Sequence, residues 1–521
     1  MTTLIVFSLK SNSDYEIKFT TEQLKKMGYN QLIRLFLIGI ITLLTTHFAC
    51  AQANPEEPYT LSLQETIDLA IESSPLSRSA RYALIASEWR YRSYRANLFP
   101  GLSFFGNAPN YRRSFRENFN LDGTTSLIYT QQSNASAGLS VDQPIMHTGG
   151  NLSVSTGITR LGIFANENTY LWSSTPLVVG YSQPLFQFNE LKWSNRLEPL
   201  ELQIAQKRYA EAIEELSLTV TQRYFDVLLS KINLDIAEFN VAVNDSIYNI
   251  SRGRYNLGNI AENDLLQTEL QLRNAESSLT QAQIIYDQQL SNFRLLLGMQ
   301  PDAPIDVEIP EYVPDFYVDE NVALTMARRN NSTSLDFDLQ TLEAERNLDM
   351  AVKQSSFSAT VQANFGLNQT SENFNDLYTN PLNQQFVTVN FQIPIFNWGK
   401  QRAEVNFAKN TQRQVADDIA FEQAQFDLQI KNVIAEFRQQ RDQVMLARLS
   451  DQIAERRYEV ARNRYRIGQI DITNLFIAQN ERDAALRSYI QSIRNFWISI
   501  YNLRRLTLFD FEENSVIQHS L

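Results

Sequence analysis

The side chains that most often carry out catalysis or bind metals are scarce in this chain of 521 residues. The three histidines, His47, His147 and His519, lie far apart, and Cys50 is the one cysteine. A zinc or haem site needs several such ligands close together, so the sequence predicts no metal centre. It also lacks a phosphate-binding loop, a dinucleotide fingerprint and a nucleophile elbow. We therefore expect no catalytic residues and no cofactor.

The charge of the chain restricts its partners. Lysine and arginine number 46 against 58 acidic residues, which gives a formal net charge of −12. Nucleic acid is held by clustered cations, and an acidic chain without a basic face does not provide them. The sequence therefore argues against a nucleic-acid partner.

Residues 1–51 are typical of an export signal. Arg34 precedes the apolar run 35–44, which is too short to span a bilayer comfortably, and small residues follow at 49–51. Cleavage before Gln52 would remove the only cysteine. In the alternative interpretation, Cys50 becomes a lipid-modified first residue. Residues 52–61 then form a short polar N-terminal segment.

The chain contains an internal duplication. Residues 254–260 (RYNLGNI) return as residues 464–470 (RYRIGQI), and 183–186 (QPLF) return as 393–396 (IPIF), both at an offset of 210. A weaker similarity relates 70–100 to 327–357 at an offset of 257. Repeat 1 therefore carries about 47 residues that repeat 2 lacks.

Strand patterns occur in both repeats. Apolar residues alternate with polar ones over 359–368 and again over 385–395, as they do in strands with one apolar face. In repeat 1 the strands are expected within 102–186, and the additional residues supply an extra strand pair near 135–160.

Helical periodicity dominates the rest of the chain. It predicts long helices at about 190–251 and 399–463, each roughly 90 Å long, which no compact domain can hold. Repeat 1 spans residues 62–312 and repeat 2 spans 313–510, before a tail at 511–521. Shorter helices are expected at 62–99 and about 263–298 in repeat 1, and at about 320–355 and 472–507 in repeat 2.

The number of strands constrains how the chain could enter a membrane. Four or six strands cannot close a barrel, because about eight is the least that a single-chain barrel uses. An open strand edge in lipid leaves backbone groups unpaired, at a cost of several kcal/mol each. Several chains would have to combine their strands, with the helices continuing below as a tube.

The glycine-marked motifs and the QPLF/IPIF pair make the chain resemble the TolC-like outer-membrane efflux proteins, over residues 60–510. The resemblance implies a mainly α fold with a β-barrel portion: a trimeric outer-membrane barrel continued by a periplasmic α-helical barrel. It implies a passive duct for efflux or type I secretion, in contact with outer-membrane lipid. It also implies a homotrimer that works with a periplasmic adaptor (membrane fusion) protein and an inner-membrane RND or ABC transporter.

The resemblance also assigns roles to residues. It implies that the glycine-marked turns form the periplasmic tip where the adaptor docks. In this chain the matching residues are Arg254, Tyr255, Gly258, Leu265, Arg464, Tyr465, Gly468 and Leu475. The gate acids of the family fall here on Asn474 and Ile477, so the candidate gate consists of Asp264, Asp471, Asn474 and Tyr465.

Two questions stay open at the level of sequence. The extra strand pair could widen the barrel to 18 strands in a trimer, or it could form a hairpin outside the membrane. The chain as a whole could alternatively be a soluble periplasmic coiled-coil scaffold without a pore. A scaffold predicts no strands with a continuous apolar face, whereas the alternation at 361–393 predicts them.

Overall fold

The computed structural model describes residues 59–119, 121, 123–164, 168–310 and 312–519. The predicted export signal and Cys50 lie outside these residues. The chain divides into two units, one of residues 1–61 with 304–306 and the other of residues 62–303 with 307–521. The described part of the first unit belongs to a two-stranded sheet of β1 (Tyr59–Leu61) and β6 (Ile305–Val307).

The helices of the second unit, as far as the structure describes it, come in pairs of equal length. The two repeats each contribute helices of 11, 22, 67 and 36 residues. The 67- and 36-residue helices recur at the offset of 210 that relates the sequence motifs. Repeat 1 contains α1 (Leu63–Ser73), α2 (Pro75–Ala96), α3 (Glu190–Asn256) and α4 (Glu262–Leu297), and repeat 2 contains α5 (Glu320–Asn330), α6 (Thr333–Gln354), α7 (Lys400–Arg466) and α8 (Ile472–Thr507).

The predicted single helices at 62–99 and 320–355 are each two helices in the structure. In repeat 1, Ser74 is extended (φ −62°, ψ 140°) because it precedes Pro75, which disfavours the helical conformation in the residue before it. In repeat 2, Asn331 is extended (φ −72°, ψ 153°) without a following proline. Its side chain instead accepts a hydrogen bond from the backbone two residues later, at 3.0 Å.

The two long helices extend beyond the predicted ends at 251 and 463. Each has 67 residues and is therefore about 100 Å long. Pro199 lies inside α3, where it removes one backbone hydrogen bond without ending the helix. None of the described helices combines the length and the apolarity needed to cross a membrane.

Six strands form one sheet in the order β2-β3-β4-β5-β7-β8, and every neighbouring pair is antiparallel. The outermost strands, β2 and β8, each pair with one neighbour within the described chain. The second strand of repeat 2 lies three residues earlier than the predicted 385–395. The strands are β2 (Gly101–Phe119), β3 (Thr125–Ile145), β4 (Gly150–Phe164), β5 (Asn168–Leu185), β7 (Ser358–Ser371) and β8 (Leu382–Gln392).

The duplication identifies which strands are additional. β7 begins 257 residues after β2, and β8 corresponds to residues 172–182 of β5 at the offset of 210. β3 and β4 have no counterpart in repeat 2. They are inserted as an antiparallel pair, so the direction of every later strand is preserved.

The sheet contains bulges where prolines interrupt its strands. The register shifts between Asn107 and Asn110 in β2, around Pro109, and between Ser174 and Leu177 in β5, around Pro176. Proline cannot donate a backbone hydrogen bond, and a bulge accommodates it within a strand. The bulges therefore allow both strands to continue past residues that would otherwise end them.

Aromatic side chains fill the helical core within each repeat. Tyr224 and Phe225 of α3 are fully buried, and Tyr224 packs edge-on against Phe293 of α4. Phe437 of α7 stacks on Phe496 of α8, with ring centres 5.7 Å apart. These contacts join the long and short helices of each repeat.

The C-terminal segment is fastened to α3 by charged groups. Arg504 Nε donates to the buried Glu214 carboxylate at 3.1 Å, and His519 Nε2 lies 3.0 Å from the same carboxylate. Arg504 also bonds Asp510. Burial opposes ionisation of Glu214, but these hydrogen bonds and the positive charge of Arg504 outweigh it, so the pKa of Glu214 is lowered.

Candidate functional site

The first predicted turn joins α3 to α4 through a left-handed glycine. Gly258 has φ +73°, and its N–H donates to the carbonyl of Tyr255 at 2.8 Å. The N–H of Asn259 donates to the carbonyl of Arg254 at 2.9 Å. These are the two hydrogen bonds of a Schellman motif, which satisfies carbonyls at the end of a helix.

The second predicted turn joins α7 to α8 and has the same backbone. Gly468 has φ +77°, and its N–H donates to the carbonyl of Tyr465 at 2.9 Å. The N–H of Gln469 donates to the carbonyl of Arg464 at 2.8 Å. A left-handed residue at this position favours glycine, so the repeated glycines have a backbone cause.

The two turns differ at the start of the following helix. In repeat 2 the Asp471 side chain caps α8 by accepting from the backbone N–H of Asn474 at 2.8 Å, and from the Asn474 amide at 3.0 Å. In repeat 1 the residue that precedes α4 is Ala261, which provides no side-chain cap. Asp264 lies half-buried in the first turn of α4, where the helix dipole favours a carboxylate.

The turns also differ in burial. Tyr465 is 6% exposed, whereas Tyr255, its counterpart in repeat 1, is 39% exposed. Leu475 is 1% exposed, and its counterpart Leu265 is half-buried. The residues that surround Tyr465 in one apolar cluster come from α3, α7 and α8: Ile247, Tyr458, Ile472, Leu475 and Phe476.

One contact joins the two turns directly. The guanidinium of Arg254, from the first turn, lies 5.4 Å from the centre of the Tyr465 ring in the second. This is a cation–π distance, typically worth about 0.5–1 kcal/mol at partly exposed sites. The structure thus brings together residues of the two motifs that are 211 positions apart in sequence.

Both turns present an apolar side chain outward at the same position. Leu257 is 77% exposed and Ile467, its counterpart, is 69% exposed. Both stand immediately before the glycine of their turn. Arg464 is also exposed, whereas Arg254 is half-buried. Sequence reasoning did not select Leu257 or Ile467, although each lies inside a repeated motif.

A buried polar network lies next to the Tyr465 cluster. The Arg482 guanidinium donates to Asp483 Oδ1 at 2.8 and 3.1 Å, and the amide of Asn240 in α3 donates to Asp483 Oδ2 at 2.8 Å. Arg482 also lies 4.8 Å from the Tyr458 ring centre. Burial raises the pKa of Tyr458, although the charge of Arg482 opposes this shift.

A polar cavity of about 640 Å³ adjoins this network between α3, α4 and α8. Asn240, Gln479 and Asp483 line it together with serine and other amide side chains. No group of three or more His, Cys, Asp or Glu residues in the described chain is placed to hold a metal ion. The arrangement offers polar and apolar contact surfaces rather than a constellation for proton transfer or nucleophilic attack.

Long helices joined by glycine turns, with an antiparallel sheet at their other end, define the class of the outer-membrane channel proteins. The chain has this fold in common with the Campylobacter jejuni outer membrane channel CmeC (TM-score 0.63, 15% identity, 88% of this chain and 87% of that chain). It is similar to the outer membrane protein VceC of Vibrio cholerae (TM-score 0.60, 14% identity, 85% of this chain and 96% of that chain). The Neisseria gonorrhoeae outer membrane channel MtrE matches with a TM-score of 0.56 at 16% identity, over 88% of this chain and 93% of that chain.

The family follows from the sequence match. The outer membrane efflux protein family matches residues 151–299 and 330–507, and the chain belongs to this family. It is an outer-membrane efflux channel protein that extends into the periplasm, and its family is one of channels. No curated protein matches the chain in sequence.

Proposed function

We propose that three copies of this chain form the passive duct, which passes substrates across the periplasm and the outer membrane without catalysis. The observation that carries the proposal is the open sheet. β2 and β8 are edge strands, yet both bear exposed apolar side chains such as Phe104 and Val389. In lipid an unpaired edge would cost several kcal/mol for each backbone group, and pairing β8 of one copy with β2 of the next removes that cost.

The helices have matching edges. The exposed face of α7 carries an apolar stripe, and α4 carries exposed leucines and isoleucines such as Leu270 and Ile284. α4 and α7 flank opposite sides of the α3–α8 pair, so in a ring the α4 of one copy meets the α7 of the next. The stripe on α7 consists of Met445, Leu446, Leu449, Ile453 and Val460.

The α7 stripe provides a test of trimer formation. Leu449→Glu places a charge at the centre of the stripe, so we expect loss of the detergent-stable trimer on size exclusion with light scattering. Gln443→Glu adds the same charge to an exposed position of α7 away from the stripe and should leave the trimer intact. A Leu449→Glu protein that stays trimeric would remove the helical part of the proposed interface.

The paired turns are the proposed docking surface for the periplasmic adaptor. The exposed Tyr255, Leu257, Arg464 and Ile467 would make contact, while the glycines shape the turns. Tyr465 and Leu475 are buried, so their part is to support this surface from below. The energy for transport would come from an inner-membrane RND or ABC transporter, the third component.

The docking proposal has a direct test. The double variant Leu257→Asp, Ile467→Asp should lose binding to the cognate adaptor in a pull-down while its trimer and melting temperature stay unchanged, because both side chains are exposed. Asn256→Asp, one residue before Leu257, adds a charge beside the surface and serves as the control. Unchanged adaptor binding in the double variant would contradict docking at these turns.

The candidate gate can be tested by removing the negative charges of its two carboxylates. Asp264 and Asp471 would contribute carboxylates near the constriction, with the exposed amide of Asn474 and the buried Tyr465 beside them. Asparagine caps helices as well as aspartate does, so Asp471→Asn removes the charge and keeps the cap. We expect Asp264→Asn with Asp471→Asn to lower single-channel cation selectivity. Unchanged selectivity would show that neither residue lines the gate.

A further inference from the structure

The cross-strand register gives the six-stranded sheet one predominantly apolar face. Hydrogen-bonded neighbours point to the same side of a sheet. One row of neighbours crosses five strands through Leu102, Val141, Val154, Val179 and Phe365. On β8 the direct partner of Phe365 is Gln385, and the apolar residues of that strand on this face begin two positions further on, at Val387, the partner of Ala363.

The opposite face is polar on β3, β4, β5 and β7. The adjacent row of cross-strand neighbours runs through Asp142, Ser153, Gly180 and Asn364. Asp142 accepts a hydrogen bond from the hydroxyl of Ser140 at 2.7 Å. The two additional strands, β3 and β4, therefore have the same division into an apolar and a polar face as the shared strands β5 and β7.

Aromatic side chains mark one end of the apolar face. Tyr111, Phe164 and Tyr170 come from three strands and lie in sequential contact, with ring centres 6.0 and 6.4 Å apart. Arg160 lies on the same face, between Val154 and Phe164 in β4, with its guanidinium over the Tyr170 ring at 4.3 Å. Phe164 is ten residues above Val154, which at the usual strand tilt corresponds to about 25 Å along the membrane normal, the height of the apolar band in membrane barrels. Added and shared strands both contribute to this girdle.

The width of the helical layer matches the width of a six-stranded sheet. At each level four helices lie side by side, in the order α2-α3-α6-α7 near the sheet. At 8–10 Å per helix they span about 32–40 Å. Six tilted strands span about 38 Å, whereas four span about 25 Å. The added pair thus brings the sheet of one chain to the width of its helices.

We propose that all six strands of each copy lie in the membrane, so that three copies close a barrel of 18 strands. This rests on the proposed trimeric duct. The backbone radius would be about 18 Å, against about 12 Å for 12 strands. After about 5 Å for side chains, the lumen would be roughly 26 Å across instead of 14 Å. It would pass a polypeptide hairpin of two helices, each about 10–12 Å in diameter, where the narrower barrel would pass only one helix.

The competing arrangement places β3 and β4 in a hairpin outside the membrane and leaves four strands per copy in the barrel. The two arrangements differ in what surrounds Val154.

Single cysteines carrying an environment-sensitive fluorophore distinguish them in the full chain reconstituted in liposomes. We expect the label at Val154→Cys to be quenched by nitroxide-bearing lipid as strongly as at Val387→Cys on the shared strand β8, and to be protected from aqueous iodide. Ser153→Cys, its neighbour on the polar face, should show the reverse. The unmodified chain gives the background from Cys50.

The possible failures are separable. If Val387 is quenched by lipid while Val154 is quenched by iodide, the 18-stranded barrel is wrong and the membrane duct stands. If neither Val154 nor Val387 is quenched by lipid, the duct itself is wrong. A density map of the trimer in lipid nanodiscs should show 18 strands across the membrane, and a map with 12 would overturn the inference.

Discussion

The turns at Gly258 and Gly468 have the same backbone and different surroundings. Both end a 67-residue helix with the same pair of hydrogen bonds. Tyr465 is packed among residues of three helices, whereas Tyr255 faces outward. The duplication has thus preserved the geometry of the turn, while the surrounding side chains bury the tyrosine of one turn and leave that of the other exposed.

The same contrast recurs further along the short helices. Arg482 and Asp483 of α8 are buried and bonded to each other. At the equivalent positions of α4, Leu272 is buried and Arg273 is exposed, where it pairs with Glu276 at 2.9 Å. Repeat 2 thus holds a buried ion pair where repeat 1 holds a buried leucine.

The largest expected effect is the difference in stability between alanine substitutions at Asp483 and at Arg273. Asp483→Ala leaves Arg482 buried without its close partner and should lower the local stability of α8 by roughly 3 kcal/mol. Arg273→Ala removes an exposed, solvent-screened pair and should leave the stability of α4 almost unchanged. Hydrogen exchange of α8 and α4 measures both. Adding Arg482→Leu, the residue type of repeat 1, should restore most of the loss, and equal effects of the two alanine substitutions would break the comparison.

The tyrosines of the turns should differ nearly as much. Tyr465→Ala opens a cavity in the apolar cluster and should cost about 3 kcal/mol, whereas Tyr255→Ala should cost under about 1 kcal/mol. Amide exchange over residues 458–476 and 247–266 reports the two losses. Comparable losses would mean that the two turns are equally packed.

A charge contrast nearer the start of α3 extends the comparison of the two repeats to the effect of pH on stability. Glu214 is buried, and Ala424 at the equivalent position of α7 is exposed. Glu214→Gln should weaken the attachment of residues 508–519, which reaches Glu214 through His519, by roughly 2 kcal/mol at neutral pH. Since the folded pKa of Glu214 lies below its ordinary value of 4.5, its contribution is complete above that value and is lost as the pH falls through the folded pKa.

Limited proteolysis of the C-terminal segment between pH 3 and 7 tests this expectation. Glu215→Gln is the matched control, because Glu215 is exposed and pairs with Arg505 at the surface. A segment that loosens already near neutral pH in the wild-type chain would contradict the assignment of Glu214.

The smallest effect concerns the helix caps. Asp471→Ala should destabilise the first turn of α8 by about 1 kcal/mol, and Ala261→Asp should stabilise that of α4 by a similar or smaller amount. Amide exchange in the two first turns gives both values. Failure of Ala261→Asp to slow exchange would show that the turn backbones differ more than their hydrogen bonds indicate.

The sequence predicted those parts of the fold that depend on local pattern and repetition. The alternation at 361–367 predicted β7, and the glycines at 258 and 468 predicted the breaks after the long helices, although the helices end at 256 and 466 rather than at the predicted 251 and 463. The break at Pro75 had a local signal. The break at Asn331 has only the weak local signal of an asparagine that can cap the next helix, and it is reinforced by hydrogen bonds from the Asn330 and Asn331 amides to the distant carbonyls of Thr507 and Leu506.

The site was predictable only in its backbone. The motifs around Tyr255 and Tyr465 are almost the same in sequence, so no local pattern distinguishes the exposed ring from the buried one. The difference arises from packing against Ile247 of α3, more than 200 residues from Tyr465. The Arg482–Asp483 pair was missed for a related reason, since charged residues on a long helix usually face solvent.

The equal lengths of α3 and α7 limit how this molecule can change in evolution. Deleting one residue from α3 alone would displace its turn by about 1.5 Å and rotate it by about 100° against its partner. Gains and losses can therefore be tolerated only as matched events in both halves, in steps near seven residues that keep the helical seams aligned. The length of the helical part of the protein is therefore set by two separate segments of the sequence, α3 and α7, and a change in either one has to be matched in the other.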